Sequence, residues 1–511
     1  MYMKKYYFIT LLFFYVHAYA QPCYNTSLVT SAYATGGTGL YKKEILWLTW
    51  GGKNQNNLYG TDNVNLTTGS KSYASIPLGN NKYLCVEATI EKIAQNNIKS
   101  YKPGNYAGDS MDDWYNIGGT NTNNKLIAGI VNSISGEQVH FRIKCKATIS
   151  GMPVRLKGIV VADAESMSGT EYIRAKADGN WNVLEVKKNL TAGGNYYVRK
   201  DTGKNLIQFG GGNDRTTAAL ALLKFNDSAY QGTDFEITTE VVLKGEGNQA
   251  IAIGLVTPDV DFSDAPDYYG YPIHTLEKMA VTNDNINAQG SFSMQNIANQ
   301  SGIWYFDGNN RRTNINTGNY TPATFNKSVS SEYLGTAKAE ANLIAVNGPH
   351  ADKDGFATNE EDAWPAQFNR FSYKDNKYKP GETISINIPY FSEKDAYVTA
   401  WIDFDGNGKF GSNSNENVTK SNGNISRNAN TNPEFAFAKV TRNTTKTGTA
   451  TLTWIVPQNR VARSTFVRLR IAEVFDEISN PISAAVDGEI EDHKIQIFAP
   501  VATNPVLYNK S

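Results

Sequence analysis

The segment Asp403-Phe404-Asp405-Gly406-Asn407-Gly408-Lys409-Phe410 places an oxygen donor at every second residue. Asp403, Asp405 and Asn407 fall where a calcium loop has its first three side-chain ligands, and Gly408 falls where such a loop turns sharply. Lys409 offers only its backbone carbonyl. The position that an EF-hand gives to a bidentate glutamate is Ser414, and Glu416 lies two residues further on, within reach of closing the site. No helical pattern flanks the loop, so the reading is a Ca²⁺ loop between strands, with an ion-free turn-rich hairpin as the alternative. Asp352 and Asp354, followed by Gly355, form half of a similar loop, or else a solvated acidic linker.

A second cluster is Gly108-Asp109-Ser110-Met111-Asp112-Asp113-Trp114-Tyr115-Asn116. Carboxylates accept hydrogen bonds from sugar hydroxyls, and a flat ring covers the apolar face of a sugar. The same oxygens suit a hard cation, and a solvated acidic loop is the plain alternative. Asp163 and Glu165, with Glu171 beyond them, are weaker candidates of the same kind. This reading predicts that Asp112/Asp113→Ala or Trp114→Ala removes ligand capture without unfolding the chain.

Elements must hold these residues, and the sequence describes them as strands. Runs such as Glu137–Ala147, Asp234–Lys244, Gln249–Val256, Ala396–Phe404 and Thr465–Ile471 alternate or are continuously apolar, separated by Asn, Gly, Ser and Asp clusters that favour turns. In Ile45–Trp50, apolar residues occupy both faces, which marks a central strand with Trp47 and Trp50 in the core. The expected fold is all-β, with tandem β-sandwich domains. The divisions are residues 1–20, 21–257, 258–365 (an Asp/Asn/Gly-rich connection), 366–498 and 499–511, which reads as the start of a linker.

Lys4 and Lys5, the apolar run Tyr6–Val16 and Ala18-Tyr19-Ala20 make a signal peptide cleaved after Ala20. No later stretch is apolar for long enough to span a bilayer, and the anchor is not identified. The 49 basic and 49 acidic residues balance, so no basic field exists to capture nucleic acid. Export brings the three cysteines into oxidising surroundings. Cys85 and Cys145 both sit in strand-like segments and are expected to pair, which leaves Cys23 over. The closed loop would stabilise by roughly 4 kcal/mol on the chain-entropy account.

Several ordered motifs between Tyr33 and Val256 carry a family resemblance. They are Tyr33-Ala34-Thr35-Gly36-Gly37-Thr38-Gly39, Ile45–Gly51, Tyr101–Gly104, Asp112–Asn116 and Gly158–Ser166. This section resembles the non-repetitive ligand-binding domain of CshA-type fibrillar adhesins. The resemblance implies a lectin-like β-sandwich at the exposed end of a surface adhesin. Further on, Asp487-Gly488-Glu489-Ile490-Glu491-Asp492-His493 resembles the signature of the GEVED domain, with Ile490 in place of valine. Asp261-Phe262-Ser263-Asp264-Ala265-Pro266, continuing to His274, resembles the segment that often precedes that domain. The GEVED resemblance implies a β-sandwich with a calcium loop. Glu489, Glu491 and Asp492 are then either further metal ligands or partners of Arg468 and Arg470.

No zinc-binding H-E-x-x-H and no G-x-S-x-G occurs, and histidine is scarce. The expected protein is an exported, non-enzymatic adhesin that binds an extracellular protein or glycan. The alternatives are an accessory module of a glycan-processing enzyme or a structural stalk.

Overall fold

The strand Gln138–Ile149 alternates residue by residue between half-buried and buried positions. Val139, Phe141, Ile143, Cys145, Ala147 and Ile149 point into a core, while Arg142, Lys144 and Lys146 pair outside with Glu91, Glu236 and Asp234. Such a strand belongs to a sheet with one face on the core and one in water. Gly158–Asp163 and Ala250–Val256 are buried at every position, so their sheet is covered on both faces.

The computed structural model describes residues 23–79, 82–102, 111–117, 127–164, 167, 170–187, 196–201, 203, 205–210, 218–286, 313–314, 321–338, 362–372, 378–411, 418–421, 424–427, 433–458 and 461–498. Among them, two nine-stranded sheets enclose the first core. The first sheet runs through Gly179–Lys187, Ala218–Phe225, Gly158–Asp163 and Ala250–Val256, with Ile45–Leu48 joined to the last of these. The second runs through Leu206–Gly210, Tyr172–Lys176, Ile237–Lys244, Gln138–Ile149, Lys82–Gln95 and Lys71–Gly79. The all-β, sandwich-like expectation is met.

Leu46, Leu48 and Trp50 enter the inter-sheet core, whereas Ile45 and Trp47 enter a second apolar cluster on the outer face of the first sheet. Met111, Trp114, Tyr115, Met279 and Ala323 also belong to this outer cluster. Residues of the expected connection therefore cover the first sandwich.

The third section holds a five-stranded sheet that includes Glu489–Ile497, Ser464–Ala472, Ala396–Ile402 and Phe435–Val440. A three-stranded sheet of Glu332–Leu334, Thr383–Ser392 and Asn443–Ile455 faces it across another core. Asp259–Phe262 and Ile273–Leu276 form a hairpin that pairs in parallel with Ala485–Val486.

The cysteine pairing differs from the expectation. Cys85 is bonded to Cys23, and Cys145 is a buried free thiol. Strand register explains this. Cys145 lies opposite Ala88 and Cys85 opposite Thr148. Cys85 and Ala88 are three residues apart on one strand, so the two thiols lie on opposite faces of the sheet. Cys145 faces the core with Ala88, and burial pushes its thiol up to about 12. Cys85 faces outward, where the N-terminal segment reaches it.

Candidate metal loop and candidate ligand pocket

The strand Ala396–Ile402 delivers Asp403 to its end, and Phe435–Val440 runs antiparallel beside it. That register brings Glu434 level with Ile402, whose N–H donates to the Glu434 carbonyl at 3.1 Å. Asp403, Asp405 and Glu434 therefore converge, with one carboxylate oxygen of each within 4.8 Å of the others. Gly406 and Gly408 both take positive φ, 63° and 81°, which folds the loop back over its own carboxylates.

The hydrogen bonds given to Asp403 and Asp405 come from neutral groups. Asp403 accepts from the N–H of Asn407 at 3.1 Å, the N–H of Gly408 at 3.2 Å and the Tyr269 hydroxyl. Asp405 accepts from the N–H of Asn407 at 3.0 Å and its Nδ2 at 3.1 Å. Asn407 Oδ1 accepts from the N–H of Lys409 at 2.8 Å, and Glu434 accepts from the N–H of Gly411 at 2.8 Å. The nearby Arg463 guanidinium bonds the Gly406 carbonyl. Burial, followed by the charges of Asp403 and Asp405, pushes Glu434 up to about 8, and burial also raises Asp403. Three crowded carboxylates, all hard oxygen donors, fit a divalent cation such as Ca²⁺.

Asp403, Asp405 and Asn407 are thus brought together, and Lys409 lies on the same loop. Glu434 was missed. It is far along the chain from Asp403 and carries no motif, so only the hairpin register would have revealed it. Glu416, Asp352 and Asp354 lie outside the described residues.

The signature carboxylates on Glu489–Ile497 have chain partners. Asp492 takes both Nε and Nη2 of Arg468 at 2.8 Å, with all side chains fully buried. Arg468 also donates to the carbonyls of Tyr269 and Pro481 and to Ser263 Oγ. Glu491 accepts from the N–H of Ala363 at 3.0 Å and lies 2.7 Å from His493 Nε2. Glu489 accepts from the N–H of Leu334. In return, Asp261 Oδ2 accepts from the N–H of Ile490 at 2.8 Å. His274 is neutral, held well below its usual range by burial and Arg470. It therefore bridges the Asp487 carbonyl and Arg470 Nε at 2.8 and 3.0 Å. Between metal ligand and arginine partner, Asp492 is an arginine partner. The Asp261–His274 segment is wedged into the third section.

In the first section, the helix Met111–Trp114 carries Asp112 and Asp113, while Asp109 and Glu165 lie outside the described residues. Trp114 and Tyr115 are 3% and 0% exposed. Tyr115 packs 5.1 Å from the Trp47 ring. Trp114 Nε1 donates to Glu185 Oε1 at 3.2 Å, and the Tyr115 hydroxyl bonds the same carboxylate. These rings are therefore core, and Trp114→Ala would open a cavity rather than spare the fold. Asp163 is also buried, accepting from the Tyr196 hydroxyl and Gln249 Nε2, each at 3.0 Å.

An open pocket of about 320 Å³ lies where Gly179–Lys187 faces Tyr197–Asp201 across the sandwich edge. Its lining includes Asn180, Trp181, Asn182, Asp201, Asn205 and Asn283. Trp181 Nε1 is engaged by the Asn205 carbonyl at 3.0 Å. Asn180 and Asn283 are exposed. No motif marks this pocket, because its residues come from three separate segments.

Among the described residues, no helix is long and apolar enough to cross a membrane. A search of curated proteins finds no match to the chain. Two family models do match: surface adhesin CshA non-repetitive domain 2 over residues 43–256, and the GEVED domain over residues 397–496. The chain thus carries a CshA-type adhesin domain followed by a GEVED domain, the architecture of an adhesin-like protein of the cell surface.

Proposed function

We propose that the chain binds an extracellular protein or glycan through its CshA-type sandwich, without turnover, and that Ca²⁺ stiffens the GEVED module. The observation that carries the binding reading is the asparagine-lined pocket at the sandwich edge. Amide side chains both donate and accept, as sugar hydroxyls and peptide groups require. The volume is at the small end for ligand pockets, enough for one residue of a longer ligand. Asp112 and Asp113 remain a second candidate contact. Asp403, Asp405 and Glu434 would hold the cation, with Asn407, the Lys409 carbonyl and Glu416 as further proposed donors. The cation would supply fixed positive charge to a carboxylate cluster, and its role is structural.

The test is binding of the mature chain to arrays of matrix proteins and glycans, with Ca²⁺ and with EDTA. Asn180→Ala/Asn283→Ala is expected to weaken a saturable hit at least about tenfold, roughly 1.4 kcal/mol. Unchanged binding in that variant, with loss in Asp112→Ala/Asp113→Ala, would move the site to the acidic helix. No binding by folded protein would favour a structural module.

A further inference from the structure

Asp259 opens the strand Asp259–Phe262, directly after the first sandwich, and Lys327 lies in Phe325–Val329. Lys327 Nζ is 2.7 Å from Asp259 Oδ1, and the two side chains are 8% and 3% exposed. Nζ is nevertheless buried without a hydrogen bond, so its approach lies outside hydrogen-bond geometry. Glu44 Oε2 is buried without a hydrogen-bond partner, and its charge acts at longer range on both Lys327 and Tyr33. On another side, the Lys157 ammonium donates to the Lys327 carbonyl.

A second buried pair provides the contrast. Lys200 bonds Asp284, whose carboxylate also accepts from the N–H of Val183 at 2.6 Å and the N–H of Ile286 at 3.0 Å. There the ammonium itself makes a hydrogen bond to its carboxylate. Lys327 is an ammonium with three donors and poor acceptor geometry, which is an expensive state for a buried ion. Condensation would replace two ions with one neutral amide.

We propose that Lys327 and Asp259 form an intramolecular isopeptide bond. Burial pushes Lys327 toward the neutral amine, but Asp259, Tyr33 and Glu44 outweigh it, so the ammonium is the resting state. The first step therefore moves one proton from Nζ to Asp259 Oδ1 across their 2.7 Å contact. The amine lone pair then attacks Cγ and a C–N bond forms. A second Nζ proton passes to the departing hydroxyl. The C–O bond breaks and water leaves. Ammonium and carboxylate thus become amide plus water, with no oxidant and no net change of charge. Held reacting groups of this kind gain an effective molarity on the order of 10⁵ M or more. Tension passing from the first sandwich to the GEVED module would then run through the cross-link and bypass residues 260–326.

The test is the intact mass of the purified, folded mature chain after reduction, followed by tandem mass spectrometry of a digest. The expected mass is one water below that of the sequence, with the peptide containing Asp259 joined to the one containing Lys327. Lys327→Ala and Asp259→Ala should each restore the full mass. Asp259→Asn should give the same cross-link by losing ammonia instead of water. Full mass in the folded wild-type chain would overturn the proposal. So would a water loss confined to one peptide, as a succinimide at Asp405-Gly406 or Asp487-Gly488 would produce.

Discussion

The GEVED module contains two clusters of buried carboxylates that are resolved in different ways. On Glu489–Ile497, Asp492 meets the Arg468 guanidinium in a two-point contact, and Glu489 and Glu491 accept backbone N–H groups from the preceding segments. At the end of Ala396–Ile402, Asp403 and Asp405 receive neutral donors while Glu434 crowds against them. Negative charge out of water requires an opposite charge close by. The signature strand finds its counter-charge on the adjacent strand Ser464–Ala472, so it stitches the fold together. Among the described residues no guanidinium meets Asp403 or Asp405 in that way, and the loop geometry gathers oxygens around a point. Acidic density alone therefore does not identify a metal site; the nearest cation on the chain decides.

Breaking the arginine cluster should have the largest effect. Arg468→Met takes the two-point guanidinium contact from the buried Asp492 and is expected to cost about 3–5 kcal/mol, read from denaturant unfolding of the mature chain. Arg468→Met/Asp492→Leu should recover much of that loss, because an apolar pair of similar volume is tolerated. A cost near zero for the single change would show that Asp492 has another counter-charge, and the contrast with the loop would fail.

Calcium should act on the other cluster alone. At a hundred times its dissociation constant, Ca²⁺ is expected to add about 2.7 kcal/mol to the module, and EDTA should remove it. Glu434→Gln and Asp403→Asn should abolish this increment, measured as the Ca²⁺-dependent shift in unfolding midpoint. An equal increment in both variants would place the ion elsewhere.

The strands and the loop were legible in the sequence because their information is local. The alternation of Val139 to Ile149 and the spacing of Asp403, Asp405 and Asn407 are each contained in a dozen residues. What failed depended on pairing. Cys85 and Cys145 both lie in strands, but only the register with Ala88 and Thr148 shows that they face opposite sides. Glu434 joins the loop only through the Trp401–Phe435 pairing. Trp114 and Tyr115 read as a sugar platform because the sequence does not show that the first sheet has an outer apolar cluster for them to fill. The Asp261–His274 segment read as connection because its partners, Ile490, Arg468 and Arg470, lie some two hundred residues away.

A third carboxylate shows that a proton is also a counter-charge. Glu332 is fully buried. Ser331 Oγ bonds it at 2.7 Å and also bonds Asp487. Burial first, and then the Asp487 charge, push Glu332 up to about 8 from an ordinary 4.5. The folded chain therefore keeps this proton through a window in which the unfolded chain has released it. Its contribution to stability is complete below about pH 4.5 and is lost as pH rises toward about 8. Unfolding free energies measured at about pH 5 and about pH 8 should fall with pH in the wild type. Glu332→Gln keeps the shape and stays neutral, so it should flatten that part of the slope. A slope unchanged by Glu332→Gln would mean that Glu332 is ionised in the folded chain. It would then need a cation, as the carboxylates of the loop do.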